Sequence, residues 1–189
     1  MRNRLLLSLL LLPWCINSNA APRVLVPEKS QIEFVVKEMG VPVSGQFNKF
    51  EAAIEIDLAQ LPKSSAKLRI DVGSLDTGNP EADKIATDGD WLDSAHAQYA
   101  VFTSASISAL GSNRYQAQGT LRIRNIDRPI TIEFTSVDQP GGQTMIESQF
   151  EINRTEFGIG GGVWNEKGVV AEQIPVKVKL LLAPPTKSR

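Results

Sequence analysis

The sequence has almost no cysteine or histidine, the residue types that most often act in catalysis and metal binding. Its 189 residues include one cysteine, Cys15, and one histidine, His96. An internal disulfide bond is therefore excluded, a tetrahedral zinc site lacks ligands, and a nucleophile could use only His96 as its base. His96 lies in a polar segment, which indicates a solvated side chain. The acidic residues between Glu81 and Asp93 lack the spacing of a calcium-binding loop, so the sequence predicts neither a metal site nor a cofactor.

Basic and aromatic residues are too few for a nucleic-acid-binding surface. The chain has 20 Lys and Arg residues against 21 Asp and Glu residues, and aromatic residues make up 6% of it. A basic field that attracts phosphates and a set of rings that stack on bases are both missing, so no nucleic-acid partner is expected. The sequence also lacks a run of about eighteen apolar residues that could span a bilayer, and stable membrane insertion is not expected.

The first twenty residues have the order of regions typical of a secretory signal peptide. Arg2 and Arg4 precede an apolar run from Leu5 to Leu12, and small residues lead up to Ala20. We therefore predict that residues 1–20 are cleaved and that the protein is exported to the periplasm. Because the leader contains Cys15, the exported chain would have no cysteine and would depend on its core alone for stability.

The rest of the chain shows no internal repeat and no low-complexity linker. One domain is predicted over residues 21–183, a length that can bury a sizeable core. Residues 184–189 begin with two prolines, cannot extend a central strand, and are predicted to form a mobile tail.

Alternation of apolar and polar residues dominates this domain and predicts an all-β fold. The segment from Tyr115 to Arg124, for example, places its apolar side chains at every second position. At least seven and most simply eight such strands, joined by short turns, favour an antiparallel meander that closes into a lipocalin-like barrel. A two-sheet sandwich is the alternative. Only residues 79–96 lack this alternation, and Asn79 before Pro80 predicts one or two short helices there.

One segment near the start of the domain changes the frame of its alternation. Apolar residues occupy even positions at Phe34 and Val36, odd positions up to Phe47, and even positions again from Phe50. A slip of one residue would turn the whole apolar face outward. A turn around residues 39–42 and a bulge near residues 48–49 are therefore predicted to restore the inward frame.

The predicted inner face mixes small residues with large aromatic ones, and this mixture has two interpretations. The small residues are Ala52, Ala100, Ser104, Ala117, Gly119 and Ser148. An eight-stranded barrel can just be filled by its side chains or can hold one small ligand. The pattern therefore leaves open a ligand cavity and a packed core, and in the second case the outer surface would bind a protein partner.

Four segments, taken in order and with their spacing, resemble the YceI-like family of exported lipocalin-like proteins. They are SQIEFVVKEMGVPVSGQFNKFEAAIEID, DGDWLDSAHAQYAVFTSASI, YQAQGTLRIRNIDRPITIEF and FEINRTEFGIGGG. The resemblance implies a barrel whose apolar pocket holds a long isoprenoid or related lipid, and it implies no catalysis. The chain departs from the family pattern at Glu38-Met39, where a Lys-His pair is frequent, and at Tyr99-Ala100, where Tyr-Pro is usual.

The predicted ligand site is the apolar inner face together with two residues that match a motif of the family. The inner-face residues are Ile32, Phe34, Val36, Phe47, Phe50, Ile54, Phe102, Leu121, Ile123, Phe134, Phe150 and Ile152. The resemblance adds Arg154 and Phe157. Arg154 continues the alternation of Phe150 and Ile152, which predicts that it points inward. An inward Arg154 needs a partner, which could be a carboxylate such as Glu33 or Glu156, or the ligand itself.

Three functions are consistent with these observations. The first is a periplasmic carrier for a long isoprenoid, quinone-type or fatty chain. The second is a periplasmic enzyme that acts on such a lipid through His96 or the acidic segment. The third is a packed barrel that binds a protein partner, and a homodimer is compatible with each of them.

Overall fold

The computed structural model describes residues 23–57, 60–166 and 169–185, so the predicted leader and residues 186–189 lie outside the described part. Its strands are β1 (Gln31–Glu38), β2 (Val41–Phe47), β3 (Phe50–Glu55), β4 (Ser65–Asp71), β5 (Leu75–Asp76), β6 (Tyr99–Gly111), β7 (Arg114–Ile123), β8 (Ile126–Gln139), β9 (Gln143–Asn153) and β10 (Gln173–Leu182). One α-helix, α1 (Pro80–Thr87), joins them within these residues. Short 3-10 turns are Pro27–Lys29, Leu61–Lys63, Val72–Ser74, Pro140–Gly142, Arg154–Phe157 and Gly162–Asn165.

The strands form an antiparallel sheet that closes on itself. Its order is β3-β4-β6-β7-β8-β9-β10-β1-β2-β5. The two strands at the ends of this order are β3, which follows β2 along the chain, and β5, which follows β4. The segment β2–β3 therefore runs beside the segment β4–β5, and this pairing joins the two ends of the sheet. The backbone N–H of Asn48 donates to the carbonyl of Ser74 and that of Asp71 donates to the carbonyl of Lys49, both at 3.0 Å, so pairing extends across the junction. The predicted antiparallel barrel is confirmed.

The predicted count of eight strands is wrong, because two long strands are each divided by a bend and the described residues contain ten. The chain bends at residues 48–49 between β2 and β3, where the change of frame predicted a bulge. The facing chain makes the 3-10 turn Val72–Ser74 between β4 and β5. The Asp71 side chain stabilises this turn by accepting from the N–H of Gly73 at 3.0 Å.

The segment after β5, which lacks the alternation, contains one α-helix, so the first of the two predicted numbers, one or two short helices, is correct. Asn79 caps α1, since its side-chain oxygen accepts from the N–H of Glu81 at 3.0 Å. Pro80 occupies the first helical position, where no N–H is needed. From Asp88 onward the chain makes a series of turns that lead into β6.

The connections give the barrel two distinct ends. The β5–β6 connection with α1 and the β9–β10 connection cover one end, which we call the helical end. The β6–β7 and β8–β9 turns lie at the opposite end. At this opposite end Arg23 pairs with Ile54 of β3 and Leu25 pairs with Leu182 of β10, so the first described residues bridge β3 and β10.

Two glycines leave room for aromatic rings on the inner face. A Cβ atom on Gly45 would collide with the ring of Phe34 on the neighbouring strand. A Cβ on Gly119 would collide with the carbonyl oxygen of Thr103 and would lie 2.9 Å from the ring of Phe102. The absence of a Cβ atom at these two positions therefore lets the rings of Phe34 and Phe102 approach the backbone of the neighbouring strand closely.

Candidate functional site

The interior of the barrel contains an apolar space in two adjoining parts, which we call the barrel cavity. The part below the helical end has a volume of 130 Å³ and the part toward the opposite end a volume of 110 Å³. Six side chains from six strands line both parts. They are Ile32, Ile70, Ala100, Leu121, Phe150 and Val176. Because the two parts share this wall, a narrow molecule could extend through both.

The wall of the barrel cavity offers almost no polar contact. Among the described residues, the helical-end part has one lining side chain with a polar atom, Trp91. The opposite part has two, Lys67 and Ser148, and the Ser148 hydroxyl already donates to the carbonyl of Glu133 at 2.6 Å. Such a wall selects its ligand by shape and by apolar surface rather than by charge.

The structure brings most of the predicted inner-face residues into this wall. Eleven of them line one or both parts: Ile32, Phe34, Val36, Phe47, Ile54, Phe102, Leu121, Ile123, Phe134, Phe150 and Ile152. They come together because period-two alternation directs the same set of side chains inward on every strand.

Phe50 lies elsewhere, in a cleft in the side of the barrel. This side cleft has a volume of 440 Å³ and opens where β1 and β3 separate, since β1 pairs with β2 and not with β3. Ile32 and Phe47 line both the cleft and the barrel cavity. The rim is polar, and Arg69 on it donates to Glu51 at 2.9 Å. The cleft is therefore a polar recess separated from the apolar interior by a thin wall of side chains.

Arg154 does not line the barrel cavity. The residue is 1% exposed, and the five N–H groups of its guanidinium all donate to backbone carbonyls at 2.7 to 3.1 Å. The carbonyls belong to Ile159, Gly160, Trp164, Val170 and Ala171. Burial lowers the pKa of Arg154, and the charge of Glu172 opposes this shift. Of the two alternatives for its partner, the carboxylate pair with Glu33 or Glu156 is not formed, because every N–H of the guanidinium already donates to a carbonyl.

Phe157 is also outside the barrel cavity, in the packed core, where it is 3% exposed. Arg154 and Phe157 lie outside the barrel cavity for the same reason. Strand β9 ends at Asn153, whose side-chain oxygen accepts from the N–H of Thr155 at 3.0 Å and starts a 3-10 turn. The inward alternation therefore stops before Arg154, and the chain folds across the helical end.

The sequence interpretation missed two groups of cavity residues. Ile70, Leu68 and Val176 lie on strands whose alternation was visible, so the period-two pattern could have identified them. Trp91 and Ile159 come from the connections that cover the helical end, where the chain has no regular period. No pattern in the sequence indicates that these two side chains reach the cavity.

His96 lies on the surface, away from the barrel cavity. Its side chain is 82% exposed, and Nδ1 is 2.8 Å from a carboxylate oxygen of Asp93. This hydrogen bond, together with the charge of Asp93, raises the pKa of His96.

Across residues 23–57, 60–166 and 169–185, no three His, Cys, Asp or Glu side chains are grouped so that they could hold a metal ion. In the same part of the chain, no helix has the length and apolar character needed to cross a membrane.

Comparison with known proteins connects this architecture to a group of bacterial proteins. Residues 24–182 match the YceI-like domain. A UPF0312 protein of Vibrio vulnificus is 31% identical over 119 residues, which is 60% of this chain and 63% of that protein, so less than two thirds of the relative's length is matched. The crystal structure of BcnA from Burkholderia cenocepacia is 31% identical, with a TM-score of 0.80 over 83% of this chain and 98% of that one.

A more distant structure shares the fold. It is a polyisoprenoid-binding domain from Saccharophagus degradans implicated in plant cell wall breakdown. The identity is 16%, the TM-score is 0.68, and the match covers 89% of this chain and all of that domain.

Proposed function

Because the chain belongs to the family of YceI-like domains, we propose that it is a periplasmic carrier that holds a long isoprenoid or related lipid chain in its barrel cavity. The observation that supports this proposal most strongly is the lining of the cavity. It is apolar along both parts, and it is contributed by side chains from all around the barrel. An apolar chain is the ligand whose transfer out of water such a wall favours.

The size of the cavity favours a narrow ligand. The two adjoining parts of the cavity, of 130 and 110 Å³, suit a chain that is thin and extended rather than a compact ring system. Burial of roughly 500 Å² of ligand surface would give about 12 kcal/mol of gross hydrophobic free energy, from which the cost of immobilising the chain is subtracted. Binding can therefore be tight with few polar contacts. A ligand longer than the cavity would continue into the side cleft or displace aromatic rings of the wall.

The distant relative supports the chemical class of the ligand. The Saccharophagus degradans domain with the same fold is described as binding a polyisoprenoid. An isoprenoid has the thin, apolar shape that the cavity of this chain favours. The order of regions in the first twenty residues supports export, and a periplasmic carrier needs no catalytic group.

Extraction of the purified protein tests the proposal. The chain, expressed with its own leader and purified without detergent, is extracted into organic solvent, and the extract is analysed by mass spectrometry. We expect one isoprenoid-type or similar long-chain lipid in an amount comparable to the protein. An extract that matches a blank purification, while circular dichroism shows a folded β protein, would contradict the carrier function and favour a packed core.

Replacement of His96 separates the carrier from an enzyme that modifies the lipid. We expect His96→Ala to leave the amount and the chemical identity of the extracted lipid unchanged, because His96 is exposed and remote from the barrel cavity. Its raised pKa reports only the contact with Asp93. If the variant instead accumulates a lipid species that the wild type converts, the enzyme interpretation is correct.

A further inference from the structure

At each end of the barrel, backbone hydrogen bonds hold a segment of chain in place. At the helical end, the carbonyl of Asp90 accepts from the N–H groups of Gly160 and Gly161 at 2.8 and 3.1 Å, which ties the two covering connections together. At the opposite end, the N–H of Arg23 donates to the carbonyl of Ile54 at 3.3 Å and holds the first described residues against β3. Moving either segment aside to admit a lipid would break these hydrogen bonds.

The side cleft lies over a gap in the hydrogen-bonded wall. No backbone hydrogen bond joins β1 to β3 among the described residues, because β1 pairs with β10 and β2 whereas β3 pairs with β4. Ile32 and Phe47 line both the cleft and the barrel cavity. Side chains therefore separate the cleft from the apolar interior, and a change of their rotamers breaks no backbone hydrogen bond.

The side cleft offers an amphipathic molecule both kinds of surface. Ile32, Phe47 and Phe50 supply apolar surface beside the barrel cavity, and the exposed amide side chains of Gln31 and Gln46 are among the polar groups of the rim. The cleft volume of 440 Å³ exceeds the 130 and 110 Å³ of the two parts of the cavity. The cleft can therefore hold a group that is wider than the chain inside the barrel.

The charges of the side cleft are balanced. Its cations are Lys49 and Arg69, and its carboxylates are Glu51 and Asp71. Arg69 donates to Glu51 at 2.9 Å, and its guanidinium carbon lies 4.4 Å from the centre of the Tyr99 ring, so its orientation is fixed. A phosphate would meet carboxylates as well as cations, whereas an uncharged group that donates and accepts hydrogen bonds finds partners of both kinds.

We propose that the side cleft is the entrance to the barrel cavity and the binding site for the polar end of the lipid. The apolar chain passes between Ile32 and Phe47 into the cavity, and the polar end remains in the cleft. This end is an uncharged group that both donates and accepts hydrogen bonds, as a hydroxyl or an amide does. The inference rests on the proposed carrier function and deepens it.

A photoreactive lipid locates the polar end. The probe is phytanol, a saturated isoprenoid alcohol, with a diazirine on the carbon next to the hydroxyl-bearing carbon. It is irradiated on delipidated wild-type protein, and the modified peptides are identified by mass spectrometry. We expect adducts within residues 27–32 and 46–51. Adducts confined to the connections at the helical end, or to the β6–β7 and β8–β9 turns, would overturn the inference while the carrier function stands. If the probe does not bind, the carrier function itself is wrong.

Removal of one carboxylate tests the chemical class of the polar end. Glu51→Gln leaves Arg69 without its ion pair, and we expect it to tighten the binding of phytanyl phosphate about tenfold relative to phytanol. The matched control is Glu133→Gln, which breaks a similar ion pair with Arg114 on the outer face and should leave the ratio unchanged. An unchanged ratio in Glu51→Gln would place the polar end outside the cleft. Wild-type protein that binds the phosphate at least tenfold more tightly than phytanol would show that the polar end is charged.

A bulky label on the rim tests the route of entry. The chain has no cysteine outside the predicted leader, so one introduced cysteine can be labelled selectively. We expect a large maleimide on Lys49→Cys to slow the association of phytanol about tenfold relative to the unlabelled variant. The same label on Thr103→Cys, on the outer face of β6, should leave the rate unchanged. Equal rates for the two labelled proteins would show that the lipid enters elsewhere.

Discussion

Replacing Ala100 with phenylalanine should remove the bound lipid without unfolding the barrel. Ala100 lines both parts of the barrel cavity, so a ring at this position fills the passage between them. A chain confined to one part would lose roughly half of its buried surface, or about 6 kcal/mol of gross hydrophobic free energy. We expect the extracted lipid to fall to the background of a blank purification, as measured by mass spectrometry.

The matched control for this variant lies on the same strand. Thr103 is exposed on the outer face of β6, so Thr103→Phe adds the same ring without entering the cavity and should retain the lipid. Melting temperatures of both variants should stay close to that of the wild type, because the cavity accommodates the new ring. Wild-type amounts of lipid in a folded Ala100→Phe protein would show that the ligand lies outside the barrel.

Replacing Arg154 with methionine should cause the largest loss of stability. The side chain is similar in length, but it leaves five carbonyls that had accepted from the guanidinium without donors. Removing the buried cation recovers part of its desolvation cost. At about 1 kcal/mol for each carbonyl without a donor, less this recovery, we expect a loss on the order of 4 kcal/mol in the free energy of unfolding. Thermal unfolding should show a decrease of roughly 10 °C in Tm.

Arg124→Met is the matched control for Arg154→Met. Arg124 also donates to backbone carbonyls at the helical end, but it is partly exposed, so water can replace its hydrogen bonds. Its loss should cost about 1 kcal/mol or less. Equal destabilisation by the two substitutions would contradict the view that burial of the Arg154 hydrogen bonds is what matters. Full stability with loss of lipid in Arg154→Met would instead assign this residue to the ligand.

The wall of the barrel could be predicted because one simple rule acts on every strand. Period-two alternation identified Phe102, Leu121 and Phe134 as inward-facing, and it located the bend at residues 48–49 through the change of frame. The second bend, at Val72–Ser74, escaped prediction because the alternation leading to it shows no comparable shift. The number of strands was therefore underestimated although the barrel was correct.

The helical end could not be predicted from alternation, because its residues come from irregular connections. Trp91 and Ile159 reach the cavity only through the packing of two loops against each other. Arg154 was placed on an inward strand because the alternation was extended past Asn153. A capping residue at that position was the available signal that the strand ends there. Loop packing of this kind depends on contacts between distant parts of the chain rather than on local period.

The most direct measurement of the central claim is a crystal structure of the protein purified from its native host without detergent. We expect one continuous, elongated density that runs through both parts of the barrel cavity and passes between Ile70, Ala100 and Phe150. Side chains that close the space between the two parts, with no density in either part, would contradict it.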